Sequence, residues 1–185
     1  QEAVDRAIIA LNKTMDKLVA KNKLSHDEAT TILGRIRPAT LMKELAQCGL
    51  VIEAVIEDIA VKKKLFSDME FKVGPNTILA TNTSSLSVTE IAAACVKPER
   101  VIGLHFFNPA PLLPLVEVIP GLATSENNRD RAFELMKTWN KTPVICRDTP
   151  GFIVNRVARP FYGESLRILE EGIADVHTID RALKE

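Results

Sequence analysis

The stretch "CGLVIEAVIEDIAVKKKLFSDMEFKVGPNTILATNTSSL", residues 48–86, decides how the chain folds. It opens on a short Val- and Ile-rich run and passes into a segment with helical spacing of apolar residues. It ends on a second apolar run that breaks into small polar residues. Short apolar runs of this kind read as strands buried on both faces, and a helix between two of them reads as a strand–helix–strand unit. The cluster Lys62, Lys63, Lys64 lies inside the helical pattern and reads as a solvated face.

The same alternation continues downstream. "SVTEIAAAC" reads as a short helix, with Ser87 and Glu90 in capping-box spacing. "RVIGLHFF" and "PLVEVIP" read as strands joined by the proline-rich "NPAPLLP", followed by the helix "NRDRAFELMKTWN" and the strand "TPVICRD". Strands alternating with helices predict α/β architecture with a mostly parallel, doubly wound sheet. The pattern changes at "RDTPGFIVNR", where a long helix and the start of another follow. The expected division is therefore 1–148 for the α/β part and 149–185 for the beginning of a helical domain. Upstream, Val4, Ile8, Leu11, Met15, Leu18 and Val19 form one helical stripe, and Ser25 with Glu28 makes a capping box.

Composition narrows the function classes. Lys plus Arg and Asp plus Glu both number 24 in 185 residues, so no basic field for nucleic acid or acidic membranes is expected. The three cysteines, at 48, 95 and 146, are odd in number and lack metal-ligand spacing, which fits a reducing, cytoplasmic compartment and no metal. The chain begins on Gln1, directly in a helical pattern, and is expected to be a piece of something longer.

Ligands of open α/β sheets sit at the carboxyl ends of the strands. Three polar clusters fall there: Glu57 and Asp58, the "TNTSS" turn, and His105. His105 stands among Leu104, Phe106 and Phe107, either as a core histidine satisfied by a carbonyl or as a general acid/base. Glu117 alternates with apolar residues, either as an outward-facing residue or as a carboxylate orienting His105. Asn155 sits inside an apolar helical pattern where asparagine is a poor choice, and Asp148, Thr149 and Pro150 read as the start of that helix. The eight glycines never form a G-x-G.

Together, "VIEAVIEDIAVKKKLF", "ATNTSSLSVTEIA", "RVIGLHFFNPAPLLPLVEVI" and "DTPGFIVNRVARPFYGES" resemble the 3-hydroxyacyl-CoA dehydrogenase family, including bacterial 3-hydroxybutyryl-CoA dehydrogenases. The resemblance runs in order along the whole chain. It implies an NAD-dependent oxidoreductase that interconverts 3-hydroxyacyl-CoA and 3-ketoacyl-CoA, with a Rossmann-type domain and a helical domain through which the protein forms a homodimer. It further implies that His105 is the acid/base, Glu117 its partner, and Ser84 and Asn155 substrate-binding groups. Glu57, Lys62 and Asn82 would meet the dinucleotide, and one of Lys13, Lys17 and Lys21 would meet CoA. The family's N-terminal glycine-rich unit is not in this sequence, so the chain alone is expected to bind NAD weakly. Two other readings are a CoA-thioester binding or dimerisation piece without redox activity, and a relative acting on free hydroxy acids.

Overall fold

The computed structural model describes residues 2–184. They fall into two compact units, Gln1–Ala46 and Gln47–Glu185. In the first unit the apolar stripe forms α1 (Glu2–Ala20), and the capping-box segment forms α2 (His26–Gly34). The Ser25 hydroxyl accepts from the Glu28 N–H at 3.2 Å and the Glu28 carboxylate accepts from the Ser25 N–H at 2.8 Å, so the box is complete. Lys13, Lys17 and Lys21 are exposed, and their spacing places them along one side of α1 and its end.

The second unit contains β1 (Leu50–Glu53), α3 (Ile59–Met69), β2 (Ile78–Thr81), α4 (Val88–Ala92), β3 (Val101–Phe106), β4 (Leu115–Pro120), α5 (Glu126–Thr138), β5 (Thr142–Ile145), α6 (Val154–Glu170) and α7 (Val176–Lys184). The strands form one sheet in the order β1-β2-β3-β4-β5. Pairs β1–β2, β2–β3 and β4–β5 are parallel, as the alternating pattern predicts. The β3–β4 pair is antiparallel. Only residues 107–114 separate those two strands, and a parallel return needs a crossover of about a dozen residues or more. The proline-rich connection is too short, so the chain turns back.

Residues alternate between the two faces of the sheet, and each face carries its own core. Leu79, Val101 and Ile119 pack with Phe66 and Met69 of α3 and with Val88, Ile91 and Ala92 of α4. Ile78, Ala80, Ile102, Leu104, Val116 and Val118 pack with Ala132 and Met136 of α5. Helices thus cover both faces, and all four residues of β2 are buried. This two-sided burial is why the strands read as unbroken apolar runs.

Two local expectations change. The basic cluster is not one solvated face: Lys62 is 1% exposed, while Lys63 pairs with Glu90 at 2.5 Å and Lys64 with Asp68 at 2.9 Å. Consecutive helix residues point about 100° apart, so one of three lysines turns inward. Ser87 does cap α4, accepting from the Glu90 N–H at 3.2 Å, but the Glu90 carboxylate goes to Lys63 rather than completing a box.

Gly103 is fixed by packing. A Cβ there would lie 2.9 Å from both Ile119 Cβ and Val88 Cγ2, because β4 and α4 close on it from two sides. Gly103→Ala is expected to destabilise the fold by about 1–3 kcal/mol through overpacking. Urea unfolding measures this, and an unchanged midpoint would mean that Val88 and Ile119 can move apart.

Candidate active site

Parallel β1 and β2 end side by side at Glu53 and Thr81, and the polar residues of both following loops meet there. One oxygen of Glu57, Oε1, accepts from the Thr83 hydroxyl at 2.5 Å, the Ser84 N–H at 2.8 Å and the Ser84 hydroxyl at 3.2 Å. Its other oxygen lies 3.3 Å from Lys62 Nζ. Desolvation pulls the Glu57 carboxyl up, but the Thr83 and Ser84 donors and the Lys62 charge together bring it below the usual carboxylate value. Lys62 itself is enclosed, with Nζ 2.6 Å from Glu53. Asn82 spans β2 and β3, its side-chain oxygen accepting from the Phe106 N–H at 2.9 Å.

His105 and Glu117 stand directly opposite each other on antiparallel β3 and β4. Their side chains meet, His105 Nδ1 lying 2.7 Å from Glu117 Oε2. His105 is 7% exposed and Glu117 fully buried. Phe107 and Phe152 flank the imidazole, with centroids 4.5 and 5.7 Å away. The other carboxylate oxygen, Oε1, accepts from the Ile153 N–H at 2.8 Å and the Val154 N–H at 2.9 Å. Two backbone N–H groups thus donate to one oxygen of Glu117, a pattern that suits an ionised carboxylate. Such a partner holds the proton on Nδ1 and leaves Nε2, which has no protein partner among the described residues, as the acceptor. The arrangement can take a proton at Nε2 and stabilise the imidazolium that results.

The Ile153 and Val154 amides are orphan donors at the start of α6, so Glu117 satisfies that helix end as well as the histidine. This places Asn155. The residue sits in the first turn of α6 rather than inside the helix, and its Nδ2 donates to the Ser84 carbonyl at 3.2 Å. Contacts therefore run from His105 through Glu117 to the start of α6, from Asn155 to Ser84, and from Ser84 through Glu57 to Lys62. The structure gathers His105, Glu117, Ser84, Asn155, Glu57, Lys62 and Asn82 into one region of the second unit.

Asp148 corrects another expectation. It starts no helix of its own segment; its carboxylate caps α4, accepting from the Val88 N–H at 2.9 Å, the Thr89 N–H at 2.7 Å and the Ser87 hydroxyl at 2.9 Å. Residues sixty positions apart carried no local signal of this. Glu53, which the sequence reading passed over, is 4% exposed and anchors Lys62. Its only signal was an acidic residue closing an apolar strand.

The cysteines offer no nucleophile in this region. Burial, aided by the Glu117 and Asp148 charges, pushes the Cys146 thiol up to about 11, and burial with Glu70 nearby does the same to Cys95. Among the described residues no group of His, Cys, Asp and Glu could hold a metal ion, and no helix is long and apolar enough to cross a membrane.

Comparison with known proteins identifies the class. Residues 1–149 match the family model of the 3-hydroxyacyl-CoA dehydrogenase NAD binding domain, and residues 151–185 match that of the C-terminal domain. The chain belongs to the 3-hydroxyacyl-CoA dehydrogenase family. It is 48% identical over 184 residues to 3-hydroxyadipyl-CoA dehydrogenase of Escherichia coli K12, covering all of this chain and 39% of that protein. It is 44% identical over 184 residues to 3-hydroxybutyryl-CoA dehydrogenase of Clostridioides difficile, covering all of this chain and 66% of the relative. The solved (S)-3-hydroxybutyryl-CoA dehydrogenase of Ralstonia eutropha superposes with a TM-score of 0.94 at 37% identity, over all of this chain and 65% of that one. The fold is thus Rossmann-type, and the chain spans less than two thirds of the length of these relatives.

Two predictions follow from the geometry. In Glu117→Gln, the amide oxygen can still accept from Ile153 and Val154, but the NH2 must then face His105 Nδ1. The neutral imidazole is expected to move its proton to Nε2, read by nitrogen-15 NMR of the ring; an unchanged tautomer would mean that Glu117 does not set it. For Asp148, partial burial raises the carboxyl, but the Thr89, Val88 and Ser87 donors bring it below the usual value. A depressed folded-state pKa stabilises above the unfolded value of about 3.9 and loses that contribution as pH falls through the lower folded value. Asp148→Ala is therefore expected to cost about 1 kcal/mol near neutral pH. The gap from wild type should narrow below about pH 4, in urea melts at both pH values.

Proposed function

We propose that this chain carries the catalytic and nicotinamide-side groups of an NAD-dependent 3-hydroxyacyl-CoA dehydrogenase acting on short acyl chains such as 3-hydroxybutyryl-CoA. The observation that carries the reading is the buried His105–Glu117 pair at 2.7 Å, whose Nε2 is left without a protein partner among the described residues. The relatives' names point to the same reaction and to CoA thioesters as substrates.

In this reading His105 Nε2 removes the 3-hydroxyl proton, and Glu117 stabilises the imidazolium and holds the ring. Bound NAD would supply the acceptor for the hydride that leaves C3. Ser84 and Asn155 hold the substrate oxygens near the reacting carbon, which shortens the search for a reactive geometry. The Phe107 and Phe152 rings keep water from the imidazole and strengthen its pairing with Glu117. At the carboxyl ends of β1 and β2 the residues fit the nicotinamide end of the cofactor. Glu57 exposes part of its carboxylate, Asn82 has an NH2 without a protein partner among the described residues, and Lys62 acts through Glu57.

The division of labour falls at residues 1–148 and 149–185. The latter segment begins the helical dimerisation domain. An apolar groove along α6 and α7, lined by Phe161, Leu166, Leu169, Val176 and Leu183 among others, supports a homodimer. One of Lys13, Lys17 and Lys21 meets the CoA phosphates. The unpaired cysteines fit a cytoplasmic enzyme of fatty acid metabolism and β-oxidation.

His105→Gln in the full-length protein containing this chain tests the reading. Turnover of 3-hydroxybutyryl-CoA is expected to fall by about two orders of magnitude or more with little change in KM. A near-native rate would remove His105 from the mechanism. Activity on free 3-hydroxy acids equal to that on the thioesters would replace the CoA reading.

A further inference from the structure

The closing residue of β1, Glu53, is not among the residues the family resemblance implies, yet it is buried and both its carboxylate oxygens are hydrogen-bonded. Its Oε1 accepts from Lys62 Nζ at 2.6 Å and from the Val55 N–H at 2.6 Å, and its Oε2 accepts from the Thr81 hydroxyl at 2.8 Å. Both side chains of the Glu53–Lys62 pair are 1% exposed. An ion pair this enclosed gives up the hydration of both charges, so replacing it by apolar residues of similar size would often leave stability unchanged or higher. What it does supply is position. The Lys62 ammonium lies between two carboxylates, Glu53 at 2.6 Å and Glu57 at 3.3 Å. The far oxygen of Glu57 is the one that receives the hydroxyl and the amide of Ser84.

We infer that Glu53 is a positioning residue for Ser84, acting through Lys62 and Glu57. Glu53 takes most of the lysine's attraction, so Glu57 can remain turned toward the "NTSS" loop. The Glu57 carboxylate accepts from both the amide and the hydroxyl of Ser84 and so fixes where that hydroxyl stands. Without the Glu53 charge, Glu57 is the anionic partner left to the ammonium among the described residues. Glu57 is drawn toward it, and the hold on Ser84 is released. The inference rests on the dehydrogenase reading, in which Ser84 contacts the substrate.

The test is a double-mutant cycle of E53Q and S84A in the full-length protein, reading kcat and KM for reduction of 3-ketobutyryl-CoA by NADH. E53Q is expected to lower kcat by about tenfold to a hundredfold, as a displaced positioning group does. In the S84A background E53Q should add little, because the group it positions is already gone. Loss of thermal stability, by contrast, should be similar in both backgrounds. If E53Q fails to fold, E53D, which keeps the charge but draws it back from Lys62, is compared with and without S84A in the same way. A loss of kcat that multiplies undiminished in the S84A background would overturn the inference, and so would an E53Q variant with wild-type turnover. An inactive wild-type protein would remove the dehydrogenase reading and this inference with it, whereas an active protein with indifferent E53Q removes the inference alone.

Discussion

The Glu117 carboxylate is the constraint around which the second unit is arranged. It is fully buried, and a buried carboxylate is tolerable only when its lone pairs are occupied. Its partners come from two directions: the imidazole across the β3–β4 pair and two adjacent backbone amides at the start of α6. One acid therefore sets the ring of His105 and the seat of the helix that carries Asn155. Neither could shift without leaving an unpaired charge in the core, so the separation between histidine and asparagine is held by electrostatics as much as by packing.

The ends of β1 and β2 show a second use of buried charge. Glu53, Lys62 and Glu57 form a line from the closed interior to the exposed turn at Ser84. Each is satisfied by the next, and the open end of the line is a polar loop where the fold class places ligands. Asp148 works similarly on the neighbouring helix, tying the strand-end segment before α6 to the first turn of α4. Three carboxylates thus join elements that the hydrophobic cores alone would leave free to slide. The cores fix the sheet and its covering helices; the carboxylates fix the loops.

The antiparallel turn between β3 and β4 gives the site its pairing. In a parallel arrangement His105 and a residue twelve positions on could not face each other across one ladder. The short proline-rich connection reverses the chain and brings the two side chains to the same face at the same level. The reversal is small in topological terms. It converts two isolated polar residues into a pair.

Much of this was legible in the residues. Strand and helix periods gave the order of elements, since the two-faced burial of β2 and β3 leaves unbroken apolar runs and the helices leave one stripe each. Ser25 with Glu28 announced a capping box, because that interaction spans three residues. The polar residues at strand ends, which the four motifs also contain, lie together in the structure. Tertiary structure decided what depends on distant partners. That Lys62 turns inward, that Glu53 anchors it, that Asp148 caps a helix sixty residues upstream, and that β4 runs backwards are facts about pairings between remote segments. Sequence fixes local spacing and the side of each element that must be buried. Which charge meets which is settled only when the sheet closes and water is removed.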